Sequence, residues 1–477
     1  MDNTVTTNQP LVGEPTPYKV RPTYFHLPRA ERYELGKLLR EKCPRTSHAT
    51  WKAPANRPDP VDLMLQADAG RIEKLIPLRH GRMAVSPFTF YRGAALNMAA
   101  DLATTPNSTM YVQICGDGHL SNFGGFATPE KNIIFSINDL DETLPGPWEW
   151  DVKRLAASFV VAGRNNGISE ANARDTAVAC TRAYREYMAT YSEMKTMELW
   201  HYSIEAEMLI SRMKDPQMME RAYKRIEKEK ERSVAEEIFP KLAQGTANKT
   251  FIKDSLPEIF HWEGHEPGEV VDIVKATFED YKKTLTPAHA SLLNRYELKD
   301  AAIKVVGVGS VGTSCWVLLL MTGDGEPLFL QVKEARDSVL EPYAGKSIYA
   351  NHGQRVINGY RLMQPFSDPF LGWTKGHGEQ KRDFFLRQLR NTKISIRVET
   401  FGKSEMMQYA EWCGQALALS HARGGDAAML SGYMGKSDKF DEAIADFSVA
   451  YADQNEQDHA AIKKAIREGR LEAEFEE

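Results

Sequence analysis

Gly116-Asp117-Gly118-His119-Leu120-Ser121-Asn122 is followed by a strand-like run, Ile133-Ile134-Phe135-Ser136-Ile137, that ends in Asn138-Asp139-Leu140-Asp141. A carboxylate and an amide on one tight loop can converge on a single point. Two short strands, Phe123 to Phe126 and Ile133 to Ile137, joined by Thr128-Pro129-Glu130-Lys131-Asn132, then bring the chain back to that point with Asp139. Oxygen donors from Asn122 and Asp139 suit Mg²⁺, which takes one or two protein carboxylates and completes its shell with water and phosphate oxygens. Asp141 is a further ligand, less well placed. Asp117 is then left to orient and deprotonate an acceptor hydroxyl, a general-base role worth about 10²–10⁴-fold. Taken singly, Asp117 and Asn122 read equally as turn formers and Asp139 as a strand-end Asx turn. The order and spacing of glycine, carboxylate, amide, strand and carboxylate favour the joint reading.

A second block lies far downstream. Gly307-Val308-Gly309-Ser310-Val311-Gly312 opens a hairpin whose return strand carries Lys333. A glycine pattern of this kind could equally be a dinucleotide fingerprint, which runs into a helix. Here Gly312 is followed by Thr313-Ser314-Cys315-Trp316-Val317-Leu318, which reads as strand. The turn Thr322-Gly323-Asp324-Gly325-Glu326 then leads to Leu328–Lys333, with Leu328, Leu330 and Val332 on one face and Phe329, Gln331 and Lys333 on the other. Gly307, Gly309, Ser310 and Gly312 are thus expected to cover nucleotide phosphates, with Lys333 neutralising them. A lone strand lysine can also be a solvated edge residue. The helix expected over Asn351–Met363 offers Gln354 and no acid to pair with Lys333, so Glu341 is the favoured carboxylate partner.

GDGHLSN followed by INDLDE resembles the motifs of aminoglycoside and choline kinases, within the protein-kinase-like superfamily. Trp150-Asp151-Val152-Lys153-Arg154-Leu155-Ala156 looks like the helix start that those enzymes place after the metal-binding loop. The resemblance implies Asp117 as catalytic base, His119 as a loop-ordering residue beside it, Asn122 and Asp139 as Mg²⁺ ligands, and Asp151 as the residue that fixes the loop. It departs at Cys115, where a histidine often stands, and at Ser314, where a valine usually packs on the adenine. In ordinary kinases the glycine loop comes first; here it comes last. The implied fold is therefore α+β, a protein-kinase-like two-lobe fold in circularly permuted order, with a mainly helical catalytic lobe and a small antiparallel-sheet nucleotide lobe. The helix containing Ala416-Leu417-Ala418-Leu419-Ser420-His421-Ala422 resembles the one preceding the catalytic loop in kinases. Permutation is allowed where the old termini lie close and the new break is exposed. An unpermuted reading would make Asp426 the base, but Ser431 stands where the amide is needed.

Over most of its length the chain also resembles an uncharacterised bacterial family known as a domain of unknown function. The phrases carrying this include Arg82-Met83, Phe90-Tyr91-Arg92-Gly93, Lys333-Glu334-Ala335 and Gly432-Tyr433-Met434-Gly435-Lys436-Ser437-Asp438. Arg82 and Arg92 are candidates for phosphate or acceptor contact, or for structural ion pairs.

The 477 residues suggest more than one lobe. A charged content of 26% with a net charge of −5 argues against nucleic acid as an obligatory partner. The five scattered cysteines form no CxxC pair and fit reduced thiols in a cytoplasmic protein. No run approaches the roughly 18 apolar residues of a membrane span, and the N-terminus lacks signal-peptide features. The expected organisation is a disordered arm over 1–25, the catalytic-loop part of the large lobe over 26–168, its helical part over 169–300, the nucleotide lobe over 301–405, and returning helices over 406–477. The charged stretch Glu220–Arg232 reads as a solvated helix face. ATP and Mg²⁺ are the expected cofactors, with an unidentified hydroxyl acceptor, small molecule or protein. The alternatives at this stage are a nucleotide-binding regulatory module with little turnover, a nucleotidyl transferase, and a metal-dependent hydrolase using Asp117, His119, Asp139 and His80.

Overall fold

The computed structural model describes residues 23–476 apart from 129, 214, 232–237, 247–248, 263–267, 269, 379–380, 390–392 and 395. All but the last few residues of the arm expected over 1–25 lie outside the described residues. The chain is mixed α+β, with small antiparallel sheets set among helices. β1 (Tyr111–Ile114) precedes the Gly116–Asn122 loop, and β2 (Phe123–Ala127) and β3 (Ile133–Ile137) follow it as an antiparallel pair. β4 (Leu144–Pro147) returns to pair with β1, which closes the segment between them into a compact unit.

Three helices support this unit. Trp148–Asn165, Glu170–Glu193 and Lys403–Gly424 bury Leu155, Phe159, Tyr184, Tyr409 and Leu417 in one core with Phe123, Phe135 and Ile137 of the strands. The last two helices approach so closely at Gly414 that a Cβ there would sit 2.2 Å from the Cys180 carbonyl oxygen. Gly414→Ala is therefore expected to cost about 1–3 kcal/mol, the range for forcing an extra methyl into a packed core. Chemical denaturation measures this, and parental stability in the variant would show that the two helices can part.

The larger sheet is a second layer. β8 (Glu297–Lys304), β9 (Cys315–Met321) and β10 (Pro327–Glu334) form a meander, with β9 and β10 joined by the expected turn, in which Gly325 N–H donates to Thr322 O. β11 (Gly372–Lys375) and β12 (Asp383–Gln388) continue it, and the strand order is β11-β12-β10-β9-β8, followed at the edge by the two-residue strand Ile259–Phe260. Between β10 and β11 lies the helix His352–Met363, capped by Asn351, whose side chain accepts from Gln354 N–H. Leu328, Leu330 and Val332 are buried together on one face of β10, and Phe329 packs on the other.

The segment 169–285 is less uniformly helical than its periodicity predicts. β5 (Ala243–Thr246), β6 (Lys249–Ile252) and β7 (Ile259–Phe260) interrupt it. β7 joins the edge of the larger sheet, and Ala243 and Ile252 pack on Val317, Leu319 and Phe329. The helix Asp272–Lys282 lies against the opposite face, where Phe278 and Tyr281 join Leu318 and Leu330. These elements belong with the sheet rather than with the helical part of the large lobe. β7, two residues long, carries no period of its own that could stand out from the helical pattern around it. The charged run of 220–231 does lie on one helix, Pro216–Glu231.

Candidate functional site

The helix Trp148–Asn165 organises the Gly116–Asn122 loop through two side chains one turn apart. Asp151 lies in its first turn, where the helix dipole favours a carboxylate. Its Oδ2 accepts from Cys115 N–H at 2.7 Å and its Oδ1 from Gly116 N–H at 3.0 Å. His421 Nε2 lies 3.0 Å from the same Oδ2, and Tyr184 OH lies 2.8 Å from His421 Nδ1. Burial works against the Asp151 charge, but the bonds from His421 and Cys115 outweigh it and hold its pKa below the ordinary carboxylate range. The second side chain, Arg154, donates to Asp117 Oδ1 from Nε at 2.7 Å and from Nη2. Its plane also rests on the Tyr91 ring, 4.7 Å from the centroid.

Asp117 is thereby aimed with its side chain 23% exposed. Burial pushes its pKa up to about 6 against the opposing pull of Arg154. That value suits a general base working near neutral pH. His119 Nε2 stands 4.0 Å from Asp117 Oδ2. Burial, then the Arg154 and Arg92 charges, drives the His119 pKa far down, so the ring is neutral. Asn122 donates from Nδ2 to the Asp117 carbonyl at 2.8 Å, and its own carbonyl accepts from Asn138 N–H at 2.7 Å. The loop and the strand-end carboxylates are thus stitched together by backbone as well as by side chains.

Lys333 comes in from β10 to the same place. Its Nζ lies 2.5 Å from Asp141 Oδ2 and 3.5 Å from Asp139 Oδ1. Burial disfavours the ammonium charge, yet Asp139 and Asp141 more than offset this and raise its pKa. Of the two acids, Asp141 is the nearer to Lys333. Glu341, expected to pair with Lys333, instead lies 3.7 Å from His352 Nδ1. The helix His352–Met363 contributes a base where an acid was sought: Arg355 donates to the carbonyls of Thr143, Asp141 and Arg336. It holds the acid-bearing loop against the exit of β10 by its backbone, leaving the Asp139 and Asp141 carboxylates for Lys333.

The glycine loop closes the cleft. Gly307 and Gly312 have φ of +67° and +83°, conformations that favour glycine. The loop is tied down by the N-terminal region. Arg82 Nη1 donates to Gly307 O at 2.8 Å, Ile72 N–H to Gly312 O at 2.8 Å, and Arg71 Nη1 to Val311 O at 2.5 Å. A cavity of about 400 Å³ lies between this loop and the acids, lined by Asp117, Asn122, Asp139, Asp141, Gly309 and Ser310 among others. Glu341 also lines it. Its volume is in the range for a small-molecule site.

The donor set fits Mg²⁺. Asp141 Oδ1 is buried with no hydrogen-bond partner among the described residues. Burial and then the Asp139 charge push the Asp141 pKa up to about 7, a like-charge strain that a divalent cation would relieve. No group of three or more His, Cys, Asp or Glu suited to a metal occurs among the described residues, so any ion here would complete its shell with Asn122, water and ligand oxygens. His80, considered for a hydrolytic metal site, is bonded to Asp68 Oδ2 at 2.8 Å and to Glu472 O at 2.7 Å. Asp426, the base of the unpermuted reading, caps a helix by accepting from Ala428 and Met429 N–H. Arg82, besides its bond to Gly307 O, pairs with Glu476 at 2.5 Å.

Sequence reasoning quoted Arg154 and His421 without giving them these tasks. The i,i+3 spacing of Asp151 and Arg154 on one helix face was the available signal. Arg71, Arg79 and Glu142, which also line the cavity, carried none. No helix among the described residues is long and apolar enough to cross a membrane. No curated protein and no solved structure matches the chain. Over residues 71–465 it matches, and it belongs to, the DUF2252 family of uncharacterised proteins conserved in bacteria.

Proposed function

We propose that this protein is an ATP- and Mg²⁺-dependent phosphotransferase acting on a hydroxyl-bearing acceptor in the bacterial cytoplasm, with a kinase-like site assembled in circularly permuted order. The observation that carries the reading is the meeting of Lys333 with Asp139 and Asp141 beside Asp117, from segments far apart in the chain. In this reading Asn122, Asp139 and Asp141 hold Mg²⁺, which supplies charge neutralisation for the nucleotide phosphates. Lys333 exchanges part of its carboxylate contact for a phosphate oxygen. The glycine loop covers the phosphates from the other side. The acceptor oxygen attacks the terminal phosphorus, its proton passes to Asp117, and the bond to the ADP oxygen breaks. His119 and Arg154 keep the Asp117 carboxylate in position.

A low-turnover nucleotide-binding module is the second reading. It is favoured by the engagement of both Arg154 donors with Asp117 Oδ1 and by the want of an acid on the His352–Met363 helix. The test is to incubate the full chain with Mg·ATP and candidate hydroxyl compounds or proteins and identify the products. ADP with a phosphorylated acceptor supports phosphotransfer, whereas pyrophosphate means nucleotidyl transfer. Nucleotide binding without turnover leaves the regulatory module. Lys333→Ala is expected to weaken Mg·ATP binding by about 10–100-fold, the loss of one charge-assisted hydrogen bond. Calorimetry showing no Mg·ATP binding by the parent would sink the nucleotide reading altogether.

A further inference from the structure

Four guanidinium groups, those of Arg71, Arg79, Arg92 and Arg336, line the cavity on the side of the glycine loop. Arg71 reaches the carbonyl of Val311 in that loop, Arg79 Nη2 donates to Gly93 O at 3.1 Å, and Gly309 packs against the backbone of Arg92 and Gly93. The charge of the cluster is answered only in part: Glu142 acts on Arg71 and Asp117 on Arg92, while Arg336 donates to the Ala67 and Ala69 carbonyls. Asp68 pairs with Arg79 Nη1 at 2.8 Å, stands 3.9 Å from Arg71 Nε and is shared with His80. Arg92 has its Nη1 3.8 Å from Glu399, a partner half exposed to solvent. The Nε atoms of both Arg79 and Arg92 are buried without hydrogen-bond partners among the described residues, and Arg79 is 1% exposed. A guanidinium nitrogen buried without a partner is costly, and Arg92, whose side chain is 25% exposed, is open to a ligand from this wall.

We propose that Arg79 and Arg92, backed by Arg71 and Arg336, form a phosphate-binding subsite beneath the glycine loop that takes a phosphoryl anion. The planar fork of arginine matches phosphate oxygens, and several forks converging on one cavity wall select a polyanion over a single carboxylate. Crowding supports the assignment. Burial, followed by the charges of Arg79 and Arg336, lowers the pKa of Arg71; burial lowers that of Arg79 too, against the pull of Asp68 and with the push of Arg336, and a bound anion would relieve this crowding. The charge balance of the opposite wall points the same way. Lys333 is already matched by Asp139 and Asp141, so the negative charge of a polyphosphate is met only in part there. The subsite deepens the phosphotransferase reading, on which it rests for the identity of the phosphate: the polyphosphate end of the nucleotide, or a phosphate carried by the acceptor.

Calorimetric titration of the full chain with inorganic tripolyphosphate tests the subsite without any nucleotide. The parent is expected to bind it. Arg92→Ala is expected to weaken binding about 10–100-fold, Arg92→Glu further, and Arg92→Lys less than either. Arg164→Ala removes an arginine held by Glu170 and Glu456 on the surface and is expected to bind as the parent does. Arg79 is too deeply built in to serve as the test variant. Failure of the parent to bind tripolyphosphate, or parental binding by both Arg92→Ala and Arg92→Glu, overturns the proposal. Competition between ATP and tripolyphosphate identifies the nucleotide as the source of the phosphate. Simultaneous binding of the two identifies the acceptor, and either result supports the subsite. A chain that binds tripolyphosphate through Arg92 but never turns over nucleotide keeps the subsite and refutes the phosphotransferase.

Discussion

Asp117→Asn is expected to lower nucleotide turnover by about 10²–10⁴-fold, equivalent to roughly 3–5 kcal/mol of barrier, while leaving nucleotide affinity nearly intact. The substitution removes the proton acceptor and keeps the shape. The amide oxygen can still accept from Arg154 Nε, and Arg154 retains the Tyr91 carbonyl at 3.1 Å and the Tyr91 ring, so the buried guanidinium is not stranded. Asp139→Ala is expected to lose turnover by another route, shifting the Mg²⁺ requirement to higher concentration as well. Because burial holds Asp117 up to about 6, the parental rate should fall as the pH drops through that value and the base becomes protonated. Single-turnover kinetics on proteins shown by circular dichroism to be folded would separate these effects. If both variants turn over ATP at the parental rate, the catalytic assignment is wrong.

The parts of the site that the sequence makes legible are those whose chemistry is local. The Gly116–Asn122 loop, β2, β3 and Asp139 are contiguous, and the β9–β10 hairpin with Lys333 announces itself by alternation and a glycine-rich turn. Each half could be read from a short window. That the two halves meet could only be expected from resemblance, and Lys333 Nζ at 2.5 Å from Asp141 is what joins them.

What was illegible depends on contacts between distant segments. Nothing in the spacing of Arg71, Arg79 and Arg336 says that they crowd together, because their approach is set by how the N-terminal helices dock on the glycine loop. The choice of Glu341 as the carboxylate partner of Lys333 failed for a related reason. It sought an acid near Lys333 in sequence, while the acids come from the far side of the cleft. On the His352–Met363 helix Arg355 does the complementary job, since the carbonyls of Asp141 and Thr143 need a hydrogen-bond donor, which an ionised carboxylate lacks. The helical reading of 169–285 failed where β5, β6 and β7 are too short for their period to outweigh the helical segments around them.

Asp151→Ala is expected to give the largest loss of stability of any single change at the site, about 3–5 kcal/mol, the cost of removing one partner from a buried charged network. The carboxylate answers Cys115 N–H, Gly116 N–H and His421 Nε2 together. Alanine leaves the two backbone donors buried beside a histidine with nothing to face. Asparagine is not a neutral substitute: it has one acceptor oxygen where the carboxylate has two, so its amide nitrogen must confront at least one donor. Asp151→Asn should therefore fall between parent and alanine variant. The sign of the pH dependence follows from the depressed Asp151 pKa. The contribution is fully present above the unfolded-state value of about 3.9 and is lost as the pH falls through the lower folded-state value. The gap between parent and Asp151→Ala should thus be widest near neutrality and close under strong acid. Urea unfolding across that range, with amide exchange at Cys115 and Gly116, measures both the energy and its location. An alanine variant within about 1 kcal/mol of the parent at neutral pH, with those amides still protected, would mean that the β1–β4 pairing holds the loop without Asp151.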